Sequence, residues 1–144
     1  MIKFLNDATG GQLLLWKVIV TSVVVALAGL QVAAAARFWG RPSVLAVSPG
    51  VAVKVHRTSG RVALTLGVIV ALTCIAGPAG PLDPTRVLLH SIFGILVFAI
   101  LTAKFLVLKV LRGSGGALPI IGSALFLAFM AIWATSVADY VAAK

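Results

Sequence analysis

The sequence predicts an all-α integral membrane protein, a four-helix up-down bundle. Three observations carry that expectation. Hydrophobic residues make up 61% of the 144-residue chain and charged residues only 10%, more apolar surface than a domain of this size hides from water. The apolar residues fall into four blocks, about Leu13–Ala36, Val53–Ile75, Val87–Leu111 and Pro119–Val141, each near the roughly 20 residues that cross a bilayer as helix. No block shows the alternating pattern of a barrel strand, and backbone in lipid must bond to itself, so the blocks are helices. The chain is expected to form one membrane domain over residues 1–144.

The elements follow in order. The first block ends in Ala33-Ala34-Ala35-Ala36, like a cleavage site, but its apolar stretch is too long for a signal-peptide core and its leading residues are scarcely basic. It is read as a retained span. The segment Arg37–Gly50 holds Trp39 and Pro42 and is expected along the cytoplasmic interface. After the second block, Gly77-Pro78-Ala79-Gly80-Pro81 with Asp83-Pro84 marks a tight turn, and Thr85 is the expected N-cap of the third span. Gly113-Ser114-Gly115-Gly116 marks a second turn, and Pro119 suits the first turn of the fourth span. Short turns make successive helices antiparallel neighbours. Trp16, Trp39, Trp133 and Tyr140 fall near span ends, where amphipathic rings settle.

Charge orders the chain in the membrane. The net charge of +9 does not point to nucleic acid, because the basic residues collect at helix ends as topology signals do. Arg37, Arg41, Lys54, Arg57, Arg61, Lys104, Lys109 and Arg112 lie on one side. Lys3, Lys17, Arg86 and Lys144 lie on the other, together with all three acids, Asp7, Asp83 and Asp139. The positive-inside rule places both termini outside the cytoplasm. Cys74, the one cysteine, excludes an internal disulfide and reads as a small apolar residue of the second span.

Two histidines stand inside this apolar chain, each followed four residues later by glycine: His56 with Gly60, and His90 with Gly94. An ionisable side chain within a membrane segment is costly and marks a functional site by default. Glycine at i+4 lies on the same helical face and leaves a flat recess beside the imidazole. Haem needs both a nitrogen for its iron and room for its plane. Counted from Gly80, His56 lies 24 residues before and His90 10 after. The difference corresponds to roughly 21 Å of depth at helical rise, too far for one iron to bridge. Lys104 stands 24 residues after Gly80, level with His56.

Several arrangements fit. Two haems stack across the membrane, one at each histidine, with Met130 as an axial partner of His90 or with ligands from another subunit. Alternatively, only His90 holds a macrocycle, and His56 with Arg57, Arg61 and Lys104 binds propionates or a quinone headgroup through charge-assisted hydrogen bonds. The plain readings stand beside these. The histidines bond neighbouring helices, the glycines allow close packing, Met130 is core and Lys104 snorkels to the interface.

The strings Ala35-Ala36-Arg37-Phe38-Trp39-Gly40-Arg41, His56-Arg57-Thr58-Ser59-Gly60-Arg61, Arg86-Val87-Leu88-Leu89-His90-Ser91-Ile92-Phe93-Gly94, Lys104, Ala117-Leu118-Pro119 and Trp133-Ala134-Thr135-Ser136 resemble a family of small four-span bacterial membrane proteins. That family is similar to the ferric-reductase-like and ascorbate-type transmembrane b cytochromes. The resemblance runs over most of the chain, through short motifs. It implies a four-helix bundle in a bacterial plasma membrane with a b-type haem role, His56 and His90 matching histidines of the pattern. Relatives often carry a further histidine late in span two, where this chain has Thr73 and Cys74, which speaks against bis-histidine ligation within one protomer.

No nucleophile triad, phosphate loop, dinucleotide fingerprint or carboxylate pair is present. The expected function is membrane electron transfer with haem b. The alternatives are a non-catalytic assembly subunit of a larger membrane complex and a chlorophyll-type pigment binder. Small residues on spans one and two (Ala26, Ala28, Gly29, Ala63, Gly67) permit close helix approach, and the unmet ligand demand predicts a homodimer or a subunit of a redox complex. Reporter fusions placed after Ser114 and after the C-terminus are expected to report opposite sides of the membrane, cytoplasmic and outer respectively; a shared side would contradict the four-span topology.

Overall fold

Four long helices account for nearly all of the computed structural model, which describes residues 2–77, 83–110 and 115–142. They are α2 (Leu13–Phe38), α3 (Pro49–Ile75), α4 (Pro84–Lys109) and α5 (Leu118–Ala142), preceded by a short α1 (Ile2–Ala8) and with a single 3₁₀ turn (Gly115–Ala117) before α5. There is no strand among the described residues. The long helices have 25 to 27 residues each and are apolar enough to cross a membrane. The chain is a multi-pass, all-α membrane protein. The centres of both expected turns, residues 78–82 and 111–114, lie outside the described residues.

Local chemistry explains where the helices begin and end. The α2 helix stops at Phe38 because Gly40 takes φ +71°, which lets the Arg41 amide donate to the Ala36 carbonyl at 2.8 Å and the Gly40 amide to that of Arg37 at 3.2 Å. That pair of bonds caps the last carbonyls. The following segment folds back on the end of α2. The Arg37 Nε donates to the Val47 carbonyl at 2.7 Å, and the Ser43 hydroxyl to that of Ala33 at 2.7 Å. The α3 helix begins at Pro49, a turn before the sequence-predicted Val53, because the Ser48 hydroxyl accepts from the Val51 amide and Pro49 suits the first turn. The α4 helix begins at Pro84, and its N-cap is Asp83 rather than Thr85. The Asp83 carboxylate accepts from the Thr85 amide at 2.8 Å and the Arg86 amide at 3.2 Å, so Thr85 is already inside the helix.

Lateral packing departs from a ring of successive neighbours. The α2 helix packs on α3 and on α5, and α4 packs on α5, but α3 and α4 barely meet. The order across the molecule is therefore α3, α2, α5, α4. Between α2 and α3, His56 and Gly60 meet Gln31, and Ala28 and Ala34 of α2 and Ala52, Ser59 and Ala63 of α3 are buried. Between α2 and α5, the indole N–H of Trp133 donates to the Ser22 hydroxyl at 2.8 Å, and Gly29 faces the Phe126 ring. Between α4 and α5, Val97, Leu125 and Ala128 form a buried hydrophobic cluster, with Ile100, Leu101, Phe129 and Ile132 packed on it. Among the small residues singled out above as a permissive surface, Ala28, Gly29 and Ala63 serve these contacts inside the protomer, while Ala26 is exposed.

Buried hydroxyls bond back to their own helix. Thr21 donates to Lys17 and Val18, Thr73 to Val70 and Ser136 to Ile132. Such bonds satisfy a polar group in an apolar medium without a second helix. Large side chains such as Leu72, Ile75 and Ile95 stand more than half exposed, which suits helices whose solvent is lipid.

The Asp83 cap yields a pH-dependent prediction. The backbone amides of Arg86 and Thr85 hold its carboxyl below the ordinary value of 3.8. A lowered carboxyl stabilises above the ordinary carboxylate range and loses that contribution as pH falls through its folded-state value. Protection of the Thr85 and Arg86 amides against exchange, relative to the intrinsic rate at each pH, is expected to fall in Asp83→Ala at neutral pH, and in the wild type only on acidification below that range. Unchanged exchange in the variant would show that the cap does not hold the helix start.

Candidate cofactor cleft

The gap between α3 and α4 is a cleft of about 730 Å³, floored by α2 and α5, within the usual range for small-molecule sites. From α4 it is lined by His90, Gly94, Val97, Phe98 and Leu101, and from α3 by Gly67, Ala71 and Cys74. Lys17, Thr21 and Val24 of α2 and Phe129, Ile132 and Ser136 of α5 complete it. It exists because α3 and α4 each pack on a different central helix and leave a space where they would otherwise touch.

His90 is held from α5. Its Nδ1 lies 3.0 Å from the Thr135 hydroxyl oxygen, and that hydroxyl donates its own hydrogen to the Ile132 carbonyl at 2.8 Å. With the hydroxyl hydrogen on the Ile132 carbonyl, the oxygen accepts from Nδ1–H, the tautomer that leaves the ring's lone pair on Nε2. A histidine that binds a metal typically has this arrangement, one ring nitrogen donating to an oxygen that fixes the ring's orientation. A Cβ added at Gly94, one turn further on, meets nothing within 4 Å. The recess beside His90 is open.

The first histidine stands elsewhere. The Nδ1 of His56 donates to the Gln31 carbonyl of α2 at 3.0 Å, and the ring stands edge-on to Phe38 at 5.5 Å. The face beside Gly60 is filled, since a Cβ there would come within 3.0 Å of the Gln31 side-chain oxygen. His56 and Gly60 thus clasp Gln31 and join α3 to α2. The two histidines belong to different levels: His56 meets α2 at Gln31, whereas the cleft around His90 meets α2 from Leu14 to Val25.

The remaining sequence-predicted residues are not brought to the cleft. Arg57 and Arg61 are exposed on α3. Lys104 is half-buried on α4, within electrostatic reach of the His56 imidazole. Met130 is half-buried on α5, and the cleft wall is formed by Phe129, Ile132 and Ser136 instead. Of the eight candidate residues, His90 and Gly94 form the cleft, and His56, Gly60, Arg57, Arg61, Lys104 and Met130 lie outside it. Among the described residues, no three His, Cys, Asp or Glu side chains gather as a metal site.

Sequence reasoning missed Lys17, Thr21, Thr135 and Ser136, and read Cys74 only as packing. Lys17 carried a usable signal, a single cation inside the first apolar block, but charge counting assigned it to topology. Thr135 and Ser136 sit in one of the strings that carry the family resemblance, where nothing in their spacing tied them to His90.

The chain belongs to a family of unknown function, DUF6529, whose profile matches residues 5–144. No curated protein and no solved structure matches the chain.

The contrast between the two glycines is testable. Gly60→Leu must displace Gln31 and is expected to cost about 1–3 kcal/mol of stability, the usual penalty of overpacking. Gly94→Leu projects into the cleft and is expected to leave thermal unfolding in detergent nearly unchanged. Equal destabilisation by both would contradict the difference between the two recesses.

Proposed function

We propose that the protein is a membrane-embedded b-type haem electron-transfer protein or subunit, with its haem site in the cleft at His90. The observation that carries this reading is a single imidazole, fixed through Nδ1 by Thr135 and flanked by the open recess at Gly94, in an apolar cleft of about 730 Å³. Bound haem supplies one-electron transfer. The protein's own residues do the rest. Thr135 orients the His90 ring so that Nε2 carries the lone pair. Gly94 leaves the space a macrocycle needs. Val97, Phe98, Leu101 and Phe129 keep water from the apolar part of the cleft.

His56 stands at another level and is engaged with Gln31, so a second imidazole for the same iron comes from outside the protomer. This favours a homodimer, or a place in a larger membrane redox complex, with α3 and α4 toward the neighbour. The bias of basic residues supports both termini on the outer side, and the family resemblance implies a bacterial plasma membrane.

One observation favours a second reading, a non-catalytic assembly subunit. Val97 is the one buried residue of α4, and a helix so little covered by its own protomer leaves a face that a neighbouring subunit can take in place of lipid.

A reduced-minus-oxidised absorption spectrum of the purified protein, with a pyridine haemochrome assay, separates the two. The wild type is expected to show a b-type spectrum and His90→Ala to lose or shift it, while His56→Ala retains it. Full haem occupancy in His90→Ala would defeat the assignment, and a colourless wild type would favour the assembly subunit.

A further inference from the structure

The polar lining residues of the cleft gather toward one end, where Leu14, Ile75 and Val87 also line it, and the rest of the lining is apolar. On α2 the lining residues Lys17 and Thr21 are followed by Val24 and Val25. On α3, which runs the other way, Gly77 and Cys74 give way to Val70, Gly67 and Leu64. On α4, His90 and Ser91 precede Val97, Phe98 and Leu101. On α5, Ser136 lies at the same end as His90, and Ile132 and Phe129 lie deeper. The polar end is the end of Gly77. The apolar part runs on for several turns, so the whole cleft spans roughly 16–21 Å along the helices at helical rise.

A cation stands at the polar end. Lys17 exposes 8% of its surface. Its Nζ donates to the Gly77 carbonyl at 3.4 Å, which is the hydrogen bond it makes among the described residues. An ammonium carries three donors, and this bond is longer than the usual range. A buried ammonium with one long bond is poorly compensated in an apolar medium. An anion beside it would supply what Gly77 does not.

We propose that the α3–α4 cleft takes an apolar ligand headed by a carboxylate, with the acid at Lys17 and the apolar body along Gly67, Val97 and Phe129. The proposal rests on the haem reading where the body is a porphyrin, whose propionates are the acid. A long-chain fatty acid of the bilayer carries the same head, and the two sources are separable. Lys17 is then a binding residue, and its bond to Gly77 is the contact it keeps when no acid is present.

The test uses metal-free protoporphyrin and its dimethyl ester, and cis-parinaric acid and its methyl ester, titrated by fluorescence into the full chain in detergent. Without iron, the binding of these probes does not depend on ligation by His90, so a failed haem assignment and a failed acid site give different results. The wild type is expected to bind at least one free acid at least about ten-fold more tightly than its ester, the size of a charge-assisted hydrogen bond. Lys17→Met is expected to bind acid and ester alike, and Lys17→Arg to restore the preference. Preference for the porphyrin acid alone identifies the macrocycle as the source, and preference for the fatty acid alone identifies lipid. A wild type that binds acids and esters equally overturns the proposal, as does an acid preference that survives in Lys17→Met.

Discussion

The close approach of α2 to its two neighbours is the constraint on which the rest depends. His56 and Gly60 meet Gln31 across the seam with α3, and Ser22 and Gly29 meet Trp133 and Phe126 across the seam with α5. In a membrane there is no hydrophobic force pulling helices together, because lipid tails are as apolar as leucine. Association rests instead on tight van der Waals contact and on hydrogen bonds that lipid cannot supply. By drawing α3 to one side and α5 to the other, α2 fixes how far α3 stands from α4, and hence the width of the cleft.

The cleft therefore does not need bulky residues to prop it open. It is what remains when two helices are each bound to a different central partner. Its polar lining residues, hydroxyls, a thiol, a lysine and an imidazole, still gather toward one end, and the rest of the lining is apolar. Thr21, Thr73 and Ser136 answer their own hydrogen-bonding demand within the helix. Lys17 and His90 cannot do so, since a helix offers no internal partner for a long cation or an imidazole. Both depend on distant parts of the chain, Lys17 on Gly77 and His90 on Thr135.

The two His-x-x-x-Gly units show how one local pattern divides into two roles. In both, the imidazole donates through Nδ1 to an oxygen on a neighbouring helix. In the first, the glycine recess is taken up by Gln31, so the unit is a clasp between α2 and α3. In the second the recess opens into the cleft. Spacing alone treats them alike because i and i+4 share a face in either case. What differs is the residue opposite, and that residue lies 25 positions away for His56 and 45 for His90.

The sequence by itself determined the helices. Length, composition and the positions of Ser48, Pro49, Gly40, Asp83 and Pro119 set where each long helix begins and ends, because helix formation and capping use bonds within a few residues. Even the error at Thr85 was local, a cap displaced by two positions. Depth along a helix was legible too, since rise per residue is constant, and it separated His56 from His90. Only the tertiary structure decided which helices touch, and so which glycine faces open space, that Lys17 points into a cleft rather than serving as a boundary charge, and that Thr135 holds His90. Those outcomes depend on side chains far apart in the chain meeting at close range. An apolar helix surrounded by lipid carries little in its own pattern to say which face meets protein and which meets the bilayer.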